Sequence, residues 1–283
     1  MSLRAIYIIL ILMKKKSKNT GKINFHEKGR WTTKAEVASL LGKQEVVGMR
    51  LNKYVAHCGI CSRRQAAELV KDGKIKVNDE VVLEPFYQIK KGDKVEYKDE
   101  VIQPEDRIIY LLLNKPKNTI TTLSDEKGRT TVMDIIGQEV AERIFPVGRL
   151  DRDTTGLLLL TNDGQLAQKL AHPSKKVQKI YQVFLDKPVS QKHLEQIAEG
   201  PELEDGKAVV NKVFYSNEND QQDVTIEIHM GKNRIVRRIF EHFGYKVKRL
   251  DRIYYGGLTK KDLPRGQFRF LSEREVIMLK HFS

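Results

Sequence analysis

The chain has 283 residues, enough for two ordinary domains, and 40% are hydrophobic, enough for real cores rather than a largely disordered polymer. Lys and Arg total 51 against 37 Asp and Glu, and the net charge of +14 favours a polyanionic partner, nucleic acid ahead of an anionic membrane. The two cysteines, Cys58 and Cys61, exclude a disulfide-rich secreted scaffold and suit a reducing cytosol.

Ile6 to Met13 is an apolar run flanked by Arg4 and by Lys14-Lys15-Lys16. It is too short for a bilayer span, which takes roughly 20 residues. Its lysines follow the apolar run, whereas a signal peptide places charge before it. Residues 14 to 48 are polar and basic, with Gly21, Gly29, Gly42 and the only tryptophan, Trp31. Residues 1–48 are therefore expected to be a flexible basic extension, with a short helix over Lys34 to Leu41.

A folded unit is expected from Met49. Leu51, Tyr54, Val55 and Cys58 recur at helical spacing, and Gly59 ends that helix. Ser62-Arg63-Arg64-Gln65 reads as a capping box, in which the Ser62 hydroxyl and the Gln65 amide satisfy free backbone N–H groups. Ala66, Ala67, Leu69 and Val70 continue a second helix to Gly73. Lys74 to Val77 and Glu80 to Leu83 alternate around Asn78-Asp79 as a tight hairpin does, and Lys90 to Tyr97 supplies another strand after the turn Lys91-Gly92-Asp93. Cys58-Gly59-Ile60-Cys61 lacks the second pair that a structural zinc site needs, and the adjacent His57 is read as a packing or solvated residue.

This order of elements resembles the S-four RNA-binding domain, a small module named after a ribosomal protein. The carrying residues are Arg50-Leu51-Asn52-Lys53-Tyr54, Ser62-Arg63-Arg64, Gly73 to Asn78 and Gly92-Asp93, over about residues 49 to 98. The resemblance implies that Arg50, Lys53, Ser62, Arg63, Arg64 and Lys74 meet RNA. Guanidiniums at a helix N-terminus add to its positive dipole, which agrees with a phosphate seat.

Residues 99 to 107 are polar, contain Pro104 and read as a linker, which puts the first module and linker at 49–107 and a second domain at 108–283. Ile108 to Leu113 is a strongly apolar strand ending in Asn114-Lys115-Pro116, with Thr119 to Leu123 as its candidate partner. Val132 to Ile136 and Val140 to Phe145 are short helical or strand pieces. They lead into Gly148-Arg149-Leu150-Asp151-Arg152-Asp153-Thr154-Thr155-Gly156, which abuts Leu157 to Leu160 and then Thr161-Asn162-Asp163-Gly164. This is a polar loop feeding a buried strand, with carboxylates and guanidiniums held at the mouth of a core. A carboxylate nucleophile needs such fixing. On the residues alone Asp151 and Asp153 are equal candidates, while Asp163 belongs to a turn signature that needs no catalysis.

Downstream, Lys179 to Phe184 alternates as a strand, Val189 to Ile197 is helical up to Gly200, and Val209 to Tyr215 and Val224 to His229 are further strands. Gly231 to Phe240 opens a helix whose apolar stripe is Val236, Ile239, Phe240 and Phe243, with Arg234, Arg237 and Arg238 on another side. Strands interspersed with a few helices, without regular βαβ alternation, indicate an α+β fold with a mixed, largely antiparallel sheet.

Residues 108 to 283 resemble the catalytic domain of the RsuA/RluB family of ribosomal RNA pseudouridine synthases. The carrying segments are Asn114-Lys115-Pro116, Gly148 to Gly164, Lys179-Ile180-Tyr181 and Gly231 to Phe240, with weaker support from Arg249 to Ile253 and Leu263-Pro264-Arg265-Gly266. The resemblance implies Asp151 as the catalytic aspartate, Tyr181 as the platform for a flipped uracil, and Arg237 as the arginine paired with the aspartate. Lys115, Arg149, Lys179, Lys232, Arg234 and Arg238 are the residues expected to meet RNA in this half. It implies no cofactor and no metal, ribosomal RNA or pre-ribosomal particles as partners, no membrane, a monomer and a cytoplasmic location. Pro264-Arg265-Gly266 and the length of the C-terminal part lean toward the RluB-like members, which modify large-subunit RNA. Two positions depart from the family pattern: Ile235, where Gln is frequent, and Asp251, where a basic residue is common. The alternative is a non-catalytic RNA-binding or ribosome-assembly protein on the same scaffold.

Overall fold

The computed structural model describes residues 46–105, 107–217 and 219–281. The basic extension up to residue 45, with the helix expected over Lys34 to Leu41, lies outside the described residues.

The first module is built from helices α1 (Leu51–His57) and α2 (Arg63–Lys71) and strands β1 (Ile75–Val77), β2 (Glu80–Val81), β3 (Val95–Tyr97) and β4 (Glu100–Val101). Leu51, Tyr54 and Val55 of α1 pack with Ala66 and Val70 of α2 over Ile75, Val77 and Val95 in one apolar cluster. The capping box is formed: Ser62 Oγ accepts from the Gln65 N–H at 3.3 Å, and Gln65 Oε1 accepts from the Ser62 N–H at 3.0 Å. Asn78 and Asp79 have φ of 54° and 67°, both left-handed, as a two-residue hairpin turn following the strand twist requires.

A second hairpin of the same kind turns at Lys98 and Asp99 (φ 54° and 62°) and pairs β3 with β4, so Glu100 and Val101 belong to a strand rather than to the expected linker. The strand expected over Lys90 to Tyr97 is shortened to three residues. The Asp93 carboxylate accepts from the Lys90 N–H, the Tyr87 hydroxyl and Asn78 Nδ2, which fixes the start of that segment as a turn.

The second domain is a nine-stranded sheet in the order β13-β5-β7-β11-β8-β10-β9, with β6 paired to β7 and β12 to β11. Its strands are β5 (Tyr110–Lys115), β6 (Phe145–Pro146), β7 (Thr154–Thr161), β8 (Lys179–Leu185), β9 (Lys212–Asn217), β10 (Asp220–Ile228), β11 (Val247–Tyr255), β12 (Leu258–Thr259) and β13 (Phe268–Phe270). Helices α3 (Val132–Ile136), α4 (Gly164–Ala171), α5 (Gln191–Glu199), α6 (Ile235–His242) and α7 (Glu273–His281) accompany it. Among the described strands only β7 and β11 pair in parallel, so the sheet is mixed and largely antiparallel and the fold is α+β. Leu111, Leu113, Leu158 and Leu160 share one apolar cluster with Tyr181, Val183 and Leu250 and with Val236, Ile239 and Phe240 of α6.

Several expectations change. Thr119 to Leu123 is not the partner of β5, whose neighbours are β7 and β13; Ile120 makes a single bridge to Thr131. The segment is instead committed to the polar loop, because Thr121 Oγ1 donates to the Leu150 carbonyl at 2.8 Å and accepts from its N–H at 3.2 Å. Asp163 is the N-cap of α4, accepting from the N–H groups of Gln165 and Leu166, and takes the Tyr110 hydroxyl at 2.6 Å. Leu166 and Leu170, four apart and both buried, were the available signal for that helix. The strand expected from Val209 begins at Lys212. Strand β11, in the middle of the sheet, has no apolar run to announce it and is held by neighbours from three parts of the chain.

The parallel pairing is short: Thr154, Thr155 and Gly156 lie opposite Leu250, Asp251 and Arg252. Gly156 (φ +109°) is required there, since a Cβ would stand 2.6 Å from the Arg252 backbone nitrogen and nearer still to its carbonyl oxygen. Gly156→Ala is expected to lower stability by ~2–4 kcal/mol through strain and overpacking, read as a shifted urea midpoint; an unshifted midpoint contradicts this close approach.

Candidate active site

The polar loop enters the sheet through a turn at residues 151–154, closed by the Thr154 N–H donating to the Asp151 carbonyl at 3.1 Å. Three groups hold its backbone. Thr121 brackets Leu150, as described above. The Asn118 N–H donates to the Arg152 carbonyl at 2.9 Å. Beneath it the Lys115 ammonium, with 0% of the residue exposed, donates to the carbonyls of Thr119 (2.7 Å), Pro116 (3.0 Å) and Arg152 (3.5 Å). Burial pushes the Lys115 amine down to about 8, against the opposing pull of the Asp153 and Asp151 carboxylates.

Two arginines of the α6 region meet the two aspartates of the turn, in a different pairing from the one expected. Arg237, buried on α6, places Nη2 2.8 Å from Asp153 Oδ2 and donates from Nη1 to the Val247 carbonyl at 3.0 Å. Arg234, in a left-handed conformation (φ 45°) just before α6, places Nη1 3.6 Å from Asp151 Oδ2 and Nη2 4.0 Å from Glu241. Arg237 is therefore the partner of Asp153 and not of Asp151. The reason lies in α6: Arg237 belongs to the helix and its buried side, whereas Arg234 precedes the first turn and its side chain is partly exposed. The Asp151 side chain keeps 37% of its surface open and that of Asp153 44%, so exposure does not separate the two carboxylates.

Tyr181 occupies β8 opposite Arg252 of β11, in the row that continues to Gly156 of β7. It is 8% exposed and belongs to the same apolar cluster as Leu150, the residue before Asp151. Arg252 is also buried. Its Nε donates to the Leu157 carbonyl at 2.7 Å and its guanidinium lies 4.6 Å from the Tyr255 ring centroid. Nothing in local spacing separates Arg252 from Arg249, so its burial was not readable in advance.

Four residues expected to meet RNA are engaged within the protein. Lys115 is fully buried. Lys179 donates to the carbonyls of His229 (2.7 Å) and Val177 (3.2 Å), and burial, with the Arg252 charge beside it, pushes its amine down to about 8. Lys232 donates to the Asp205 carbonyl at 2.6 Å. Arg238 pairs with the Asp205 carboxylate and donates to the Asn233 carbonyl at 3.2 Å. In the first module Arg63 and Arg64 are exposed, the exposed Arg50 lies over the Phe86 ring at 5.2 Å, and Lys53 is half-buried. Lys74 pairs with Asp72 at 3.2 Å, and the Ser62 hydroxyl is taken up by the capping box. Arg149 is exposed on the loop.

Neither remaining motif shows features of a reactive site. Burial, reinforced by Glu105, pushes the Cys58 thiol up to about 12, which makes it a poor nucleophile. Burial also lowers His57. Ile235, one of the two departures, is buried and packs in the main cluster, where an apolar side chain is suited. Among the described residues no helix is long and apolar enough to cross a membrane.

Comparison with known proteins bears on the family of the chain. The family model for RNA pseudouridylate synthase matches residues 109–242, and that for the S4 domain matches residues 49–95. The chain is 40% identical over 234 residues to the ribosomal large subunit pseudouridine synthase B of Bacillus subtilis (strain 168), covering 82% of this chain and 95% of that relative. It is 33% identical over 233 residues to the dual-specificity RNA pseudouridine synthase RluF of Escherichia coli (strain K12), covering 82% and 78% respectively. A solved crystal structure of a pseudouridylate synthase matches with a TM-score of 0.59 and 30% identity, over 81% of this chain and 99% of that one.

The buried ammonium has a pH signature. An ordinary lysine titrates near 10.5 and Lys115 near about 8. Between these values the unfolded chain holds a proton that the folded chain has released, so raising the pH through this window stabilises the fold. Between about pH 7.5 and about pH 9.5, wild type should gain roughly 1–2 kcal/mol over Lys115→Met in urea unfolding. A difference that does not change with pH argues against the depressed amine.

Proposed function

Because the chain belongs to the RNA pseudouridylate synthase family, we propose that it isomerises a uridine of large-subunit ribosomal RNA to pseudouridine, with Asp151 as the catalytic carboxylate. Its activity as an RNA pseudouridine synthase rests on family membership, which sets aside the non-catalytic scaffold. The target follows the name of the Bacillus subtilis relative. The partners of this reading are ribosomal RNA or pre-ribosomal particles, met in the cytoplasm by a single chain.

What supports Asp151 over Asp153 is its place in Gly148-Arg149-Leu150-Asp151, within the span matched by the family model. Its carboxylate is partly open on a turn whose backbone is fixed from below, with the Arg234 guanidinium 3.6 Å away. In the isomerisation the glycosidic bond from ribose carbon 1 to uracil nitrogen 1 breaks, and the base turns. Uracil carbon 5 then bonds the ribose and gives up its proton, while nitrogen 1 ends with one. A carboxylate at Asp151 can attack the sugar or take a sugar proton, and either route requires a fixed, ionised group.

A uridine in structured RNA must leave its stack first. Tyr181 supplies an aromatic surface that offsets part of this cost, at roughly 1–3 kcal/mol per stacked base. Arg234 neutralises and aims Asp151. Arg237 acts at one remove, holding the turn through Asp153, and is a positioning residue. The exposed Arg63 and Arg64 beside the start of α2 supply phosphate contacts.

Asp151→Asn is expected to reduce pseudouridine formation to background while RNA affinity stays within about twofold; an active variant overturns the assignment. Asp153→Asn should keep measurable activity, reduced on the order of tenfold, about 1.4 kcal/mol in the barrier. Replacing Arg63 and Arg64 by Ala should weaken RNA binding and reduce the salt slope by about 2; an unchanged slope removes them from the interface. Pseudouridine mapping of ribosomal RNA from cells lacking the protein should show one large-subunit position lost, and a loss confined to small-subunit RNA overturns the target.

A further inference from the structure

Asp251, which departs from the family pattern, and Arg265, in a segment to which the proposed chemistry gives no role, meet in the structure. The Asp251 carboxylate accepts both terminal nitrogens of Arg265, at 2.9 and 3.0 Å, together with the Lys260 ammonium and the Thr155 hydroxyl at 2.8 Å. Burial works to raise this acid, but the Arg265, Lys260 and Thr155 donors outweigh it and hold it at about 2. One carboxylate thus binds three segments: β7, the residues following β12, and the loop before β13.

The position of this cluster ties it to the catalytic turn by two routes. Thr155 lies opposite Asp251 at the centre of the three-residue parallel pairing, the only contact of its direction in the sheet, so the side-chain bond pins its register. Thr155 is also the first residue beyond the turn. The second route runs through Arg265, whose Nη1 donates to Asn114 Oδ1 at 3.1 Å and approaches the Lys115 carbonyl at 3.5 Å. Asn114 closes the same loop, donating from Nδ2 to the Leu263 carbonyl at 2.9 Å and accepting the Gly266 N–H at 2.8 Å. Lys115 then reaches the Arg152 carbonyl between the two aspartates. A bidentate arginine–carboxylate pair has a defined geometry, so it transmits position rather than merely charge.

We propose that Asp251 and Arg265 are positioning residues for the reaction, fixing the turn that carries Asp151 from the β11 side and through β5. The proposal rests on the assignment of Asp151 as the catalytic carboxylate. Asp251 therefore contributes to turnover without touching RNA, as the counter-ion of Arg265.

The test compares Asp251→Asn, Arg265→Gln and the double variant with Arg269→Gln. The last breaks the 2.7 Å pair with Glu275 between β13 and α7, away from the turn, and controls for lost stability. Single-turnover rates, KM for a ribosomal RNA fragment and amide hydrogen exchange are measured well below each melting temperature. Each single variant should lose about tenfold in rate with KM within twofold, and the double variant should be no slower than the worse single, since both act along one path. The Asn118 and Thr154 amides, whose acceptors lie in the turn, should exchange about tenfold faster in the Asp251 and Arg265 variants and unchanged in Arg269→Gln. A rise in KM at constant rate makes Arg265 an RNA contact and overturns the proposal, as does an equal rate loss in Arg269→Gln. Unchanged exchange of the two amides overturns it whatever the outcome of Asp151→Asn, so failure of the catalytic assignment is read separately.

Discussion

A charged ammonium buried beneath a turn is the constraint on which the site depends. Lys115 has no access to water, and its charge is compensated by three carbonyls and by the field of two nearby aspartates. A buried cation left unpaired is costly, so its partners cannot drift. The Arg152 carbonyl is one of them, and it sits between Asp151 and Asp153. Desolvation of a single lysine thereby becomes a geometric restraint on the turn that carries two carboxylates.

The two aspartates of the turn are held differently. Asp153 forms the shorter pair, at 2.8 Å with a buried arginine of α6, and so joins the turn to the main core. Asp151 stays partly open and makes a looser pair with Arg234. Both carboxylates keep part of their surface open, 44% at Asp153 and 37% at Asp151, so the closeness and burial of the partner arginine, and not access, distinguish them.

Basic residues are numerous, but many serve the fold. Lys115, Lys179, Lys232 and Arg238 satisfy internal carbonyls or Asp205, and Arg237 and Arg252 are buried. The excess charge of +14 therefore overstates what the catalytic half presents to RNA. Arg63, Arg64 and Arg50 in the first module and Arg149 on the loop remain exposed.

The elements legible in the sequence were those dictated by local physics. The capping box at Ser62 and Gln65, the left-handed hairpin turn at Asn78-Asp79 and the four leucines of β7 each follow from neighbouring residues alone. The α+β class was legible as well, from the order of strands and helices. Pairing across the chain was not legible. The strand Val247–Tyr255 mixes charged and apolar residues, and it becomes a central strand only because β7 and β8 close on it from distant parts of the chain. The match of Arg237 to Asp153, the role of Asp251 as counter-ion to Arg265 and the burial of Lys115 all arise in the same way. A sequence specifies which side chains can ionise and which backbone turns are cheap. Which charge meets which is decided by the approach of distant segments, because the favourable partner for a buried ion exists only once the surrounding core has removed the water.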